Sequence, residues 1–341
     1  MELSSPFTFC ERLPESFPSQ IVVDVTERCN LVCAHCLHGD FKRHPSYSAR
    51  DMEEAIHDKL IHEAATDGKG ALRYIRYTAM GEPLLHPRIF SFLEKAVRES
   101  GTAITLTTNG TLLDEDAAQR LLDTGIHLID ISIDAFSPVA YKAVRRGGDR
   151  ERTYRNVLGL LEVRARRRLT TKIVTSFIEQ PLNEGEGEPF KKFWLEHGAD
   201  DVVIRRLHSQ AGGRDDIADT LKANERHLQR RPCLYPWERL SVGSGGKLSY
   251  CPACWAFLND YTEFADFRTH SIKECWQGEF MKTLRAQHLA NDFAGNSLCG
   301  ACPDWAQTRW PHEGRSYADM VGEFMNATGE KPGSAYAADN R

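Results

Sequence analysis

With 341 residues and 38.6 kDa, the chain can bury one large core, or one large and one small. Its 41% hydrophobic and 27% charged residues are ordinary for a globular protein, and a formal net charge of -5 with a pI near 6.2 argues against nucleic acid or an anionic membrane as partner. No apolar run approaches the roughly 20 residues that span a bilayer, and the opening MELSSPFTFCERLPES lacks the basic and apolar regions of a secretion signal, so a cytoplasmic location with reduced thiols is expected.

Residues 1–20 read as an N-terminal arm. Ile21 to Val25 is a short apolar strand that leads into CNLVCAHC, Cys29 to Cys36. Ser48 is placed to cap a helix carrying Met52, Ile56, Leu60 and Ile61 on one face, stopped by Gly68 and Gly70. Leu72 to Thr78 alternates as a second strand. A helix from Pro87 toward Arg98 follows, then a third strand and turn, ITLTTNG, at Ile104 to Gly110. Asp114 opens a helix to Leu122, and His127 to Ile133 is a fourth strand. A helical region spans about Tyr141 to Arg168, broken near Gly147-Gly148. Thr171 to Ile178 is a fifth strand, Pro189 to His197 a helix, and Val202 to Arg206 a sixth strand. The run Arg164, Arg166, Arg167 and Arg168 suits a helix C-terminus better than a phosphate site.

Strands alternating with helices imply βαβ units and a parallel sheet. Six units are too few for the closed eight-strand barrel, so an open, partial (β/α)6 TIM-like barrel over residues 21–210 is expected, with functional loops at the C-terminal strand ends. The special residues fall there. The cysteine loop follows strand one, Ala79-Met80-Gly81-Glu82-Pro83 follows strand two, Thr108-Asn109-Gly110 follows strand three, and Ser132 and Asp134 close strand four.

The 10 cysteines are clustered. Three lie at positions 29, 33 and 36, and the next is Cys233, so two metal sites with spare thiols are expected rather than a disulfide framework. Three thiolates can hold a 4Fe-4S cluster and leave its fourth iron open, because such clusters prefer soft ligands. A zinc site completed by His35 or His38 is the competing reading of the loop alone.

Taken in order, CxxxCxxC after the first strand, the Gly-Glu-Pro turn, TTNG and ISIDA resemble the radical S-adenosylmethionine (SAM) superfamily over residues of roughly 20 to 210. Two features depart from the usual pattern: His35 stands before the third cysteine where an aromatic residue is typical, and Met80-Gly81-Glu82-Pro83 keeps one glycine of the common GGEP turn. The resemblance implies that Cys29, Cys33 and Cys36 hold a SAM-binding 4Fe-4S cluster. Its open iron would bind SAM, whose reductive cleavage gives a 5′-deoxyadenosyl radical that abstracts hydrogen from substrate. It also implies that Met80, Gly81 and Glu82 receive the methionine amine, that His35 flanks the adenine, and that Ser132, Arg145 and, more weakly, Asn109 contact SAM. A flavodoxin or ferredoxin-type donor would deliver the electron. The plainer readings are that Glu82 is a surface carboxylate beside a Pro turn, that Ser132 ends a strand, and that Arg145 is a solvated charge.

Residues 211–232 read as a linker, 233–311 as a small C-terminal auxiliary iron-sulfur domain, and 312–341 as a tail that is small, polar and mobile from about Gly322. A β-hairpin around Gly243 to Gly246 would bring Cys233 and Cys251 together. With Cys299-Gly300-Ala301-Cys302 downstream, this resembles the SPASM/twitch extension of radical SAM enzymes, with fewer cysteines than its two-cluster form requires. One auxiliary 4Fe-4S cluster on Cys233, Cys251, Cys299 and Cys302 is expected. Cys254 is an alternative ligand, a hydrogen-atom donor to a substrate radical, or a packed thiol. Cys275 reads as a small buried hydrophobe on a helix whose core side holds Ile272, Trp276, Phe280 and Leu284.

The one-cluster form resembles enzymes acting on sugars, aminocyclitols and sugar nucleosides in antibiotic biosynthesis, so a hydroxylated small-molecule substrate is expected, with dehydrogenation, diol dehydration or decarboxylation as the outcome (oxidoreductase or lyase). Glu179 is a candidate catalytic group, and Arg205, Arg206, His208 and Gln210 candidate substrate contacts, with only one of the two arginines facing inward. A peptide-recognition domain would need roughly 80 residues before strand one, and about 20 precede it, so a peptide-modifying maturase is the alternative. Further off stand a non-catalytic iron-sulfur electron carrier and a zinc-binding module.

Overall fold

The computed structural model describes residues 16–224, 229–251, 263–307 and 315–326. The apolar runs become six strands, β1 (Gln20–Val23), β2 (Tyr74–Tyr77), β3 (Ala103–Thr108), β4 (Leu128–Ser132), β5 (Lys172–Glu179) and β6 (Asp201–Arg206). Each pairs in parallel with its predecessor. This sequential parallel order is that of a partial barrel.

The crossover helices are Glu54–Ala65, Ile89–Glu99, Glu115–Asp123, Arg150–Arg167 and Gly187–Glu196, with the short Pro138–Val144 before the fourth. Local chemistry starts three of these six. The side chains of Asp114, Ser137 and Asp149 accept from the amides of Ala117, Ala140 and Arg152, satisfying donors that a helix start leaves open. Side chains alternate across each strand. Ile75, Tyr77, Ile104, Leu106, Ile129 and Ile131 therefore enter the core with Leu60, Phe92, Leu121 and Leu160 of the helices. Each such burial stabilises by roughly 1.5–3 kcal/mol relative to exposure.

The opposite face is different. Tyr74, Ala103, Leu128 and Val174 meet Ala318, Met320 and Val321 of the helix Tyr317–Asn326. The stretch from Gly322 thus begins as helix docked on the sheet through Asn326, not as a mobile tail, because that sheet face carries apolar residues needing cover.

The hairpin forms as expected, β7 (Arg239–Val242) and β8 (Lys247–Ser249), followed by β9 (Glu263–Asp266). It is no separate sheet: β7 pairs in parallel with β1, with Gln20 opposite Arg239, so one nine-stranded sheet runs through both parts.

Three local expectations change. Ser48 caps nothing; its amide and hydroxyl donate to Glu27 Oε2 at 2.8 and 3.2 Å, and Glu53 is the N-cap residue of the helix. The segment read as a linker contains the helix Asp215–Asn224, and the Ser209 and Ala211 amides before it are held by the Asp304 carboxylate. The helix around Cys275 is broken at Gly278 into Ile272–Gln277 and Glu279–Ala290. The break rotates Phe280 outward, 43% exposed, and Met281 takes its place in the core. Cys275 is half-buried beside that core. Cys10 and Cys254 lie outside the described residues.

Candidate active site

The loop after β1 is stitched into place by backbone bonds. The amides of Val32 and Ala34 donate to the carbonyls of Arg146 and Val144 at 3.0 and 2.8 Å, which sets Arg145 beside Cys33. Arg145 Nη1 then lies 3.4 Å from Cys33 Sγ, and the His38 amide 3.4 Å from Cys36 Sγ. Burial is the main cause that pushes the Cys29 thiol up to about 12 and Cys36 up to about 11; Glu82, Cys33 and Cys36 add to the shift at Cys29, and Cys33 adds to it at Cys36. Burial likewise raises Cys33, and Arg145 opposes it. Among the described residues no three His, Cys, Asp or Glu converge closely enough to ligate a single metal ion. The donor set is nevertheless that of a cluster: three soft, half-buried sulfurs close enough to interact, with N–H donors aimed at two of them.

Neither imidazole of the zinc reading completes this set. His38 Nε2 is bonded to the Glu27 carbonyl at 2.8 Å, and the His35 ring lies between the Gln180 amide, 3.2 Å from Nδ1, and Asp134, 3.6 Å from Nε2.

The Gly81 turn abuts this loop. A Cβ on Gly81 would come within 1.7 Å of the Thr26 carbonyl oxygen, so only glycine lets the two backbones meet. The Gly81 amide reaches Asp24 Oδ1 at 3.3 Å, and the Glu82 amide donates to the Arg28 carbonyl at 2.8 Å. Glu82 is buried, not a surface carboxylate. It accepts from the Leu84 amide at 3.2 Å, Thr108 Oγ1 at 2.6 Å and the Asn109 amide at 2.8 Å. Burial still raises its pKa. Three bonds leave part of the carboxylate's accepting capacity open. Met80 is buried against Leu37 and Phe41. Asn109 is used up otherwise: its Nδ2 donates to Asn30 at 2.9 Å, and its Oδ1 accepts from the Thr111 amide and hydroxyl. Its side chain ties two loops together.

Arg145 is buried, not solvated. Its Nη2 pairs with Asp134 Oδ2 at 2.5 Å, and Asp134 holds a left-handed φ of 58°. Burial drives the His35 pKa down to about 4, against the pull of Asp134, so the ring is neutral at pH 7. Ser132 sits half-buried at the end of β4, opposite Ser176.

Of the substrate candidates, Arg205 alone lies on the concave sheet face in the ladder of charges, with Nη2 2.6 Å from Asp130 Oδ2. Arg206 and Glu179 are exposed, because alternation sends both to the outer side, and neither can line the interior. Gln210 Oε1 accepts from the Leu37 amide at 2.8 Å, making it a clasp on the cysteine loop. His208 is half-buried, and its pKa is lowered by burial. Sequence reasoning missed Asp24, Arg76, Asp130 and Gln180. For Arg76 and Asp130 a signal existed: each is a charge on the alternate face of an otherwise apolar strand.

At the other end, Cys233, Cys251, Cys299 and Cys302 act electrostatically on one another, and burial pushes Cys299 up to about 11. The Arg230 guanidinium donates to the Cys299 and Gly300 carbonyls and fixes the CxxC turn. Four thiols that act on one another are a donor set that fits a second cluster.

Comparison with known proteins finds one family model over each of these two regions. The family model described as the Radical SAM superfamily matches residues 23–179, and one described as an iron-sulfur cluster-binding domain, SPASM, matches residues 233–303. A probable GTP 3′,8-cyclase of Methanocaldococcus jannaschii is 28% identical over 177 residues, 52% of this chain and 55% of that protein. GTP 3′,8-cyclase of Nitrobacter hamburgensis is 36% identical over 135 residues, 38% and 37% of the two chains. The matches thus span about half, or less, of these relatives. Among solved structures, BtrN in complex with AdoMet and 2-DOIA superposes with a TM-score of 0.53 at 18% identity, over 83% of this chain and 92% of that one. Streptococcus suis SuiB bound to precursor peptide SuiA gives 0.62 at 16% identity, over 96% and 76%. At these identities the structural likeness speaks for the fold alone.

Proposed function

We propose, for a chain that belongs to the radical SAM superfamily and carries an iron-sulfur cluster-binding domain behind it, that this enzyme abstracts a hydrogen atom from a hydroxylated small molecule, such as a sugar, aminocyclitol or nucleoside. The observation that carries the reading is the concave sheet face leading from the cysteine loop, where Arg76, Thr107, Asp130, Ser176 and Arg205 make a polar, hydrogen-bonding surface.

Cys29, Cys33 and Cys36 would hold the SAM-binding 4Fe-4S cluster. When bound and reduced, such a cluster supplies the electron that splits SAM into methionine and a 5′-deoxyadenosyl radical. The chain's own residues position and shield. Glu82 and the carbonyls near Met80 and Gly81 present acceptors for the methionine amine, and Ser132 lies on the same rim. Arg145 keeps a positive charge beside Cys33. Cys233, Cys251, Cys299 and Cys302 would hold the auxiliary cluster, which would supply an electron acceptor if the outcome is oxidation and a structural tie if it is elimination. Electrons would come from a reductant of flavodoxin or ferredoxin type.

A peptide substrate is the second reading, favoured by the extent of the fold shared with peptide-bound SuiB. One experiment addresses both. Anaerobically reconstituted protein is given SAM, dithionite and a panel of sugars, nucleosides, nucleotides and peptides. 5′-Deoxyadenosine should form and rise with the right substrate, and Cys33→Ala should abolish it. Absence of 5′-deoxyadenosine from fully iron-loaded protein would end this reading. The redox level of the product separates oxidation from elimination.

A further inference from the structure

Five consecutive strands each place a polar residue on the concave face: Arg76 on β2, Thr107 on β3, Asp130 on β4, Ser176 on β5 and Arg205 on β6. Asp130 is fully buried, and its Oδ2 takes two guanidinium groups at once, Arg76 Nη2 at 2.8 Å and Arg205 Nη2 at 2.6 Å. Its Oδ1 accepts from the Ser176 hydroxyl. Arg76 Nε donates to Thr107 Oγ1 at 2.9 Å, and the Tyr317 ring lies 4.0 Å from the Arg76 guanidinium and 5.7 Å from that of Arg205.

The charges on this face do not balance. Two arginines, 76 and 205, share the single carboxylate of Asp130, while Arg145 is paired with Asp134. The two arginines on Asp130 also keep unused donors, as each guanidinium offers five N–H groups. Both side chains stay partly open to solvent, 18% for Arg76 and 27% for Arg205, while Asp130 beneath them is closed off. A spare cation with free, forked donors in a concave site is the chemistry that recognises carboxylate or phosphate.

We propose that Arg76 and Arg205 form the anion-binding end of the substrate site, receiving a carboxylate or phosphate group of the substrate against the pair of guanidinium groups that Asp130 holds in place. This rests on the small-molecule reading above and narrows it to anionic substrates. Asp130 is the positioning residue of the subsite. Its negative charge partly offsets the arginines, which sets opposite signs for its removal and theirs.

The test uses reconstituted protein with SAM and no reductant, and isothermal titration with matched probes: uridine 5′-monophosphate against uridine, and glucuronate against glucose. Wild type should prefer the anionic member of at least one pair about tenfold or more, and the responding pair tells phosphate from carboxylate. Arg205→Gln should remove that preference and Arg205→Lys should restore part of it. Asp130→Asn should strengthen anion binding. Arg166→Gln, an exposed charge elsewhere, controls for net charge. The proposal is overturned if neither pair shows a preference in wild type, or if Arg205→Gln and Asp130→Asn leave the preference unchanged while iron content stays normal. A wild type that makes no 5′-deoxyadenosine from SAM and reductant would remove the radical reading separately and leave the binding result standing.

Discussion

Asp24 follows β1 with one carboxyl oxygen on the Gly81 amide and the whole carboxyl group buried. Burial outweighs that bond and pushes its pKa up to about 8, so the acid keeps its proton in neutral solution. The folded value lies above the ordinary value of about 3.9. The stability it contributes is therefore full below about pH 3.9 and is lost as pH rises through 8. Asp24→Asn keeps a carbonyl oxygen for the Gly81 amide and cannot ionise. We expect the urea midpoint of wild type to fall from about pH 6 to about pH 9 and that of Asp24→Asn to fall less. Equal slopes in the two proteins would contradict a buried, protonated acid here. Nothing in the sequence marked Asp24, because a carboxylate at a strand end is ordinarily solvated. Only the Gly81 turn closing over it removes the water. Arg145 and Glu82 were legible by motif, yet their burial was not, since it depends on loops from three other strands arriving together.

At the level of elements, the Gly81 turn and the cysteine loop are two backbones in contact, and each holds the other. Gly81→Ala drives a Cβ into the Thr26 carbonyl, with the Arg28 carbonyl oxygen also within 2.9 Å. Backbone cannot yield as a side chain end can. We expect this variant to retain the sheet, by far-ultraviolet circular dichroism, yet to lose most iron bound at the amino-terminal site, measured as iron per chain. Full iron loading would show that the turn is not needed to shape the loop. The helices and strands themselves were readable, because period-2 and period-3.6 patterns are properties of single segments. The misreadings came where a partner element intervenes. Ser48 gave its bonds to Glu27 instead of a helix, the stretch after Gln210 was docked by Asp304, and Gly278 reset the phase of a helix so that Phe280 left the core.

Across the whole molecule, one sheet carries both candidate cluster sites, since β7 continues it from β1. The four thiols of the second site come from the start of that region, the hairpin end and the CxxC turn. We expect Cys299→Ser with Cys302→Ser to lower reconstituted iron to about half, from two 4Fe-4S clusters to one. The 5′-deoxyadenosine made without substrate should survive, because those cysteines lie outside the cysteine loop. Unchanged iron would refute this ligand set. The chain's linear order alone determined the repeating βα pattern, the cysteine spacing and the sequence of rim motifs, because each is set by neighbours within a few positions. Tertiary structure alone decided that the carboxyl-terminal helix covers the apolar part of the concave face, that Arg206 and Glu179 point away, and that Arg76, Asp130 and Arg205 share one charge cluster. Those facts depend on which distant strands lie side by side, and register between strands is settled by packing across the whole sheet.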